Sequence, residues 1–133
     1  MCSLKKDVMP ARKDSKPVFL KFWFPVLLCM GFIFYTSSIP GRNIPNLFFS
    51  QDTIYHFFIY LILALFFIRA LKNTYTNIVT AKAILLTILF AVFYGVTDEL
   101  HQAFVPYRNV SFLDVFVDSV GGLAGSLIYR WLK

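Results

Sequence analysis

Charged side chains make up only 15% of these 133 residues, and cysteine occurs twice. The first shortage excludes an ordinary soluble domain, which at this length needs a larger polar surface. The second excludes a disulfide framework. Cys2 lies in a basic leader and Cys29 inside an apolar run, too far apart to pair. Cys2 has no apolar segment before it, so it is not expected to be a processed lipoprotein site. No Ser stands in a nucleophile elbow, and H-E-x-x-H is absent. The sequence thus carries no ready signature of an acyl-transfer enzyme or a zinc protease. Acids are scarcer than bases, seven against 13.

Apolar surface takes the place of charge. Hydrophobic residues make up 58% of the chain and aromatics 19%, with a mean hydropathy of +0.65. Four apolar runs are predicted to be transmembrane helices, at about residues 18–37, 52–71, 82–104 and 111–131; about 20 residues suffice for a ~30 Å hydrocarbon core. The expected fold is therefore all-α, a small polytopic bundle of four transmembrane helices. The first run follows a basic leader, as a signal peptide would. It is too long for a signal h-region, and three more spans follow. Residues 1–17, with Pro10 and Pro17, read as a disordered basic cytoplasmic leader. Residues 18–132 read as one membrane domain. Pro25 and Gly31 are potential kinks in the first span. The Pro-, Ser- and Asn-rich segment that follows is expected to skim the interface.

The cations sort by loop. Lys5, Lys6, Arg12, Lys13, Lys16, Lys21, Arg69, Lys72, Lys82, Arg130 and Lys133 fall on one side, leaving Arg42 and Arg108 opposite. The positive-inside rule then expects both termini in the cytoplasm. Asp52, Asp98, Glu99, Asp114 and Asp118 gather towards the other face. The net charge of +6 is therefore a topology signal, and no nucleic-acid partner is implied.

The segment 94–125 is organised around charges in an apolar setting. A charge at the bilayer centre costs at least about 2.5–3.5 kcal/mol, so such groups are usually paired, shielded or near an interface. Asp52, His56 and Tyr60 are successive i, i+4 positions on one helix face, as are Tyr94, Asp98 and Gln102 on the next span. Asp114, Asp118, Gly121 and Gly125 share a stripe on the last. Gly121-x3-Gly125 lets another helix approach closely, which places both acids in an interhelical seam. Asp52 is expected to cap the second span. Ser111 and Asp114 form a capping-box-like S-x-x-D. Arg108 is the nearest cation to Asp98 and Glu99, and a bidentate pair with one of them is expected. His101 is expected to face the interface.

The pattern D-x3-H-x3-Y at Asp52, His56 and Tyr60, then TDELHQ-x-FVP-x-R over residues 97–108, then Asp114 and the glycines, resembles the VanZ-like family. The resemblance runs over about residues 34–131. Asp118 stands where that pattern has Asn and Tyr107 where it has Gly. The resemblance implies a small bacterial membrane protein, with a link to the cell envelope and to glycopeptide antibiotics such as teicoplanin. It implies no settled mechanism.

Three functions compete at this level. An outward-facing polar pocket at the bacterial cytoplasmic membrane, built from Asp52, His56, Tyr60, Asp98, Glu99, Gln102, Arg108, Asp114 and Asp118, would bind an envelope lipid or a lipid-linked wall precursor. Polar groups confined to one leaflet favour this over transport. An intramembrane enzyme would use His56 as general base and Asp98 or Glu99 as acid. No cofactor is expected and no metal is assigned, although a loose His and carboxylate set (His56, Asp98, Glu99, Asp114) stays open. A third reading makes the polar rim a structural network, with function in a partner protein. The oligomeric state is left open.

Overall fold

The computed structural model describes residues 15–133. It contains four long helices: α1 (Ser15–Ser37), α2 (Gln51–Thr74), α3 (Thr80–Gln102) and α4 (Phe112–Trp131), with a single 3-10 turn at Gly41–Asn43. There is no strand among the described residues, and each helix is long and apolar enough to span a membrane. The expected four-span, all-α bundle is what forms. The leader expected at residues 1–17 lies for the most part outside the described residues. Helix α1 begins at Ser15 and takes in Pro17, which the first turn tolerates because its N–H would have no helical partner there. Pro25 stays within α1 and does not end it.

Around an apolar core that includes Val26, Ile33, Leu63 and Ile68, the burial pattern departs from that of a soluble protein. Phe24, Leu28, Phe32, Phe58, Leu89, Phe93, Phe116 and many other large apolar side chains are exposed. Ser37, His56, Thr87, Asp98, Glu99, Gln102, Asp114, Asp118 and Ser126 are buried. Lipid accounts for both, since it solvates Leu and Phe as well as a protein core would but offers polar atoms nothing. Two fully buried hydroxyls fall back on their own helix. Thr87 donates to the Ala83 carbonyl and Ser126 to that of Gly122, both at 2.8 Å.

Helix α2 is central. It packs most extensively against α4 and also meets α1 and α3, whereas α1 and α4 are not close neighbours among the described residues. Close approach depends on glycine. A Cβ on Gly121 would lie 2.6 Å from the Phe57 carbonyl oxygen of α2, and one on Gly125 would meet the carbonyl of Leu61. The expected small-residue seam is therefore the α2–α4 interface. Gly122 faces α3, where its Cβ would meet Ala91 at 2.7 Å. At the α2–α3 turn end, Trp23 donates to Thr74 Oγ1 at 2.8 Å. Phe67 stacks on Phe90 with centroids 4.0 Å apart. At the opposite end the two loops are joined, Gly41 N–H donating to the Pro106 carbonyl at 3.1 Å. That junction closes the end of the bundle where the polar residues lie.

Candidate functional site

The polar niche is assembled from three helices. Helix α2 contributes His56 and Tyr60, α3 contributes Asp98, Glu99 and Gln102, and α4 contributes Asp114 and Asp118, all buried. His56 Nδ1 lies 2.9 Å from Asp118 Oδ1, an ion pair when the imidazole is protonated. The same contact crosses the glycine seam, because Asp118 sits one turn before Gly121. Gly95 makes room for it: a Cβ there would stand 2.6 Å from Asp118 Oδ2. Tyr60 lies one turn below His56, with its ring near-parallel to the imidazole at 6.1 Å. Gln102 donates to Asp98 Oδ2 at 3.2 Å and reaches Ser37 of α1 at 3.5 Å.

Three expectations need correction. Asp52 does not cap α2: Ser50, at a positive φ of 59°, precedes the helix and neither residue makes a side-chain cap bond. Gln51 ties down the loop instead, accepting from Leu47 N–H at 2.8 Å and donating to the Pro45 carbonyl at 3.0 Å. Asp52 is exposed and belongs to the mouth of the niche, where an acid still suits the positive helix terminus. The second correction concerns α4. In a capping box the acid three residues on reaches back to the N-cap N–H. Here Ser111 N–H donates to Glu99 Oε2 of α3 at 2.7 Å, and Asp114 is left to accept from Thr53 of α2 at 3.4 Å. An Asp side chain is one methylene shorter than Glu, and the neighbouring helix supplies the missing reach.

The third correction is Arg108. Its Nε donates to the Ile39 carbonyl at 3.0 Å and its Nη2 to that of Thr36 at 2.7 Å. The guanidinium thus holds one carbonyl in the last turn of α1 and one just beyond its end, and neither Asp98 nor Glu99 receives it. Among the described residues the one ion pair is His56 with Asp118. His101 is half-buried, stacked on Phe34 at 4.5 Å and bonded to Ser38 at 2.9 Å, apart from the niche. The sequence reading missed Thr53, Ser37 and Gly95 as parts of the site. Gly95 had a signal, a small residue one turn before two acids; Thr53 and Ser37 had none.

Three buried polar atoms in this niche have no hydrogen-bond partner: Tyr60 Oη, Glu99 Oε1 and Asp118 Oδ2. Each orphan costs about 1–3 kcal/mol relative to a satisfied group. They all lie around His56, which indicates a place where something other than this chain supplies the bonds. Donor atoms of His56, Asp98 and Glu99 lie within 4.8 Å of one another. Asp114, which the sequence allowed as a fourth, is not in this group.

Two adjoining cavities open onto the niche beneath the α1–α2 loop. One, of about 590 Å³, runs along Ile39, Ile44, Leu47, Phe48, Tyr55 and Phe58 and ends on His56, Gln102 and Arg108. The other, of about 770 Å³, shares those three residues and Asp52, and continues to Thr53, Ser111 and Asp114.

The chain matches the VanZ/LLP1 family model over residues 22–133. It belongs to the VanZ/LLP1 family. Comparison with curated proteins and with solved structures yields no match. The family match takes in α1 from residue 22, the other three helices and the whole niche, so the niche is part of the VanZ/LLP1 domain. This VanZ/LLP1 protein is a multi-pass membrane protein with its buried ionisable groups at one end of the bundle.

Proposed function

We propose that this VanZ-like protein acts at the bacterial cell envelope, holding the headgroup of an amphiphile, a lipid-linked wall precursor, in the niche around His56. The observation that carries this reading is the double character of the cleft. Its flank is apolar, along Ile39, Ile44, Leu47, Phe48 and Phe58, and its depth is polar, at His56, Gln102 and Arg108. A molecule with a long chain and a polar head fits that division. Arg108 commits Nε and Nη2 to carbonyls and keeps Nη1 for an anionic headgroup. The buried acids and imidazole lie at one end only, whereas a proton or ion path would need such groups along the bilayer's depth. The loop cations favour a topology with this end at the outer face of the cytoplasmic membrane and both termini inside. Altered susceptibility to glycopeptide antibiotics is the expected consequence in cells.

The test is lipid capture. Purified protein is exposed to an envelope lipid extract, and the co-purifying lipids are identified by mass spectrometry. Enrichment of a polyprenyl-linked sugar, reduced at least about tenfold in Gln102→Ala, supports the reading. Retention of bulk phospholipid alone, or equal capture by both proteins, refutes it.

A second reading, an intramembrane enzyme acting on the same lipid class, is favoured by the His56–Asp118 contact. A carboxylate on Nδ1 orients an imidazole to work as a base through Nε2. Asp118 supplies that carboxylate from α4, across the helix seam. Full biological activity of both His56→Ala and Glu99→Gln at normal protein levels would end that reading.

A further inference from the structure

We infer that His56, Asp98 and Glu99 bind one divalent transition-metal ion, for which zinc is the best match. The donor atoms lie within 4.8 Å of one another and all three residues are buried. A tetrahedral ion at 2.0–2.2 Å from its ligands needs donors roughly 3.4 Å apart, a closure that small side-chain rotations supply. One imidazole and two carboxylates suit zinc, whereas calcium and magnesium favour oxygen alone at higher coordination number.

Two independent features point to a ligand at this place. Glu99 is 4% exposed, and one of its oxygens accepts from Ser111 N–H while the other has no partner. The imidazole is also already arranged as a metal-binding histidine would be. Asp118 of α4 holds Nδ1 at 2.9 Å, which leaves Nε2 for the ion and matches the carboxylate–histidine–metal pattern. Charge argues the same way. Three buried acids, Asp98, Glu99 and Asp118, surround one imidazole, and Arg108 is turned away to main-chain carbonyls. A dication offsets that excess. Three protein ligands leave a fourth position open, at a residue that lines both cavities. The inference does not depend on which amphiphile the cleft takes.

The experiment uses the full chain, purified in detergent, stripped with chelator and dialysed against metal-free buffer. Zinc chloride is titrated and bound metal counted by mass spectrometry; a Co2+-loaded sample is read by visible absorption. One zinc per chain and tetrahedral-type Co2+ bands are expected. Glu99→Gln keeps an acceptor for Ser111 N–H, so it should fold, and it should lose at least tenfold in zinc affinity. Asp118→Asn should weaken binding by about 10–100-fold. His101→Ala, whose histidine lies outside the niche, should bind as the wild type does. No zinc above background on the wild type, or unchanged affinity in a folded Glu99→Gln, overturns the inference. So does displacement of zinc by equimolar Mg2+ or Ca2+. If Glu99→Gln does not fold, the wild-type stoichiometry and the Co2+ spectrum decide. Zinc bound without capture of a lipid-linked precursor sinks the function proposed above and leaves this site standing; capture without zinc does the reverse.

Discussion

Gly121→Ala should destabilise the bundle, and Gly31→Ala should not. Both glycines lie inside long helices, so the intrinsic gain from replacing glycine by alanine, up to ~1 kcal/mol, is similar at the two positions. Their surroundings differ. A Cβ on Gly31 meets nothing within 4 Å, whereas one on Gly121 lies 2.6 Å from the Phe57 carbonyl oxygen and 3.2 Å from Leu61 N. Ordinary contact begins at 3.4 Å, so α2 and α4 must part by about 0.8 Å at a backbone that cannot rotate out of the way. Overpacking of this kind costs about 1–3 kcal/mol, more than the propensity gain. The same displacement stretches the His56–Asp118 bond, which joins the same two helices one turn away. Thermal unfolding of both variants in one detergent is the assay. A Tm lowered by several degrees in Gly121→Ala, with Gly31→Ala level with or above the wild type, is expected. Equal Tm values for the two variants would refute the close approach of α2 and α4 on which the niche depends.

Two further substitutions test other joints. Arg108→Ala removes two charge-assisted hydrogen bonds, to the Thr36 and Ile39 carbonyls, and should cost roughly 1.5–3 kcal/mol in unfolding experiments. Arg108→Lys should recover only part of it, since an ammonium cannot present the same fork. Tyr60→Phe deletes a buried hydroxyl with no partner. In metal- and lipid-free protein it should leave stability unchanged or raise it by about 1 kcal/mol. A clear fall in Tm would show that the hydroxyl is bonded in the free protein.

Legibility differed by kind of interaction. The spans were readable because hydrocarbon demands about 20 apolar residues in a row, and the observed helices α1 to α4 differ from the expected ranges by only a few residues. The shared face of His56 and Tyr60 followed from helical period alone. The seam followed too, since Gly121 and Gly125 fix which side of α4 can touch another helix. The partner of each polar group was not readable. Arg108 is nine residues from Glu99 in sequence, and nearness suggested an ion pair. The orientation of the α3–α4 loop sends its guanidinium to α1.

What the sequence determined by itself was therefore the number of helices, their amphipathic faces and the family, because these rest on period and composition within single segments. Only the tertiary structure decided that Asp118 holds His56, that Glu99 serves the start of α4, and that Asp98, Glu99 and the imidazole converge with unsatisfied atoms between them. Those outcomes depend on rotation and depth of one helix against another. Local propensity carries no information about either.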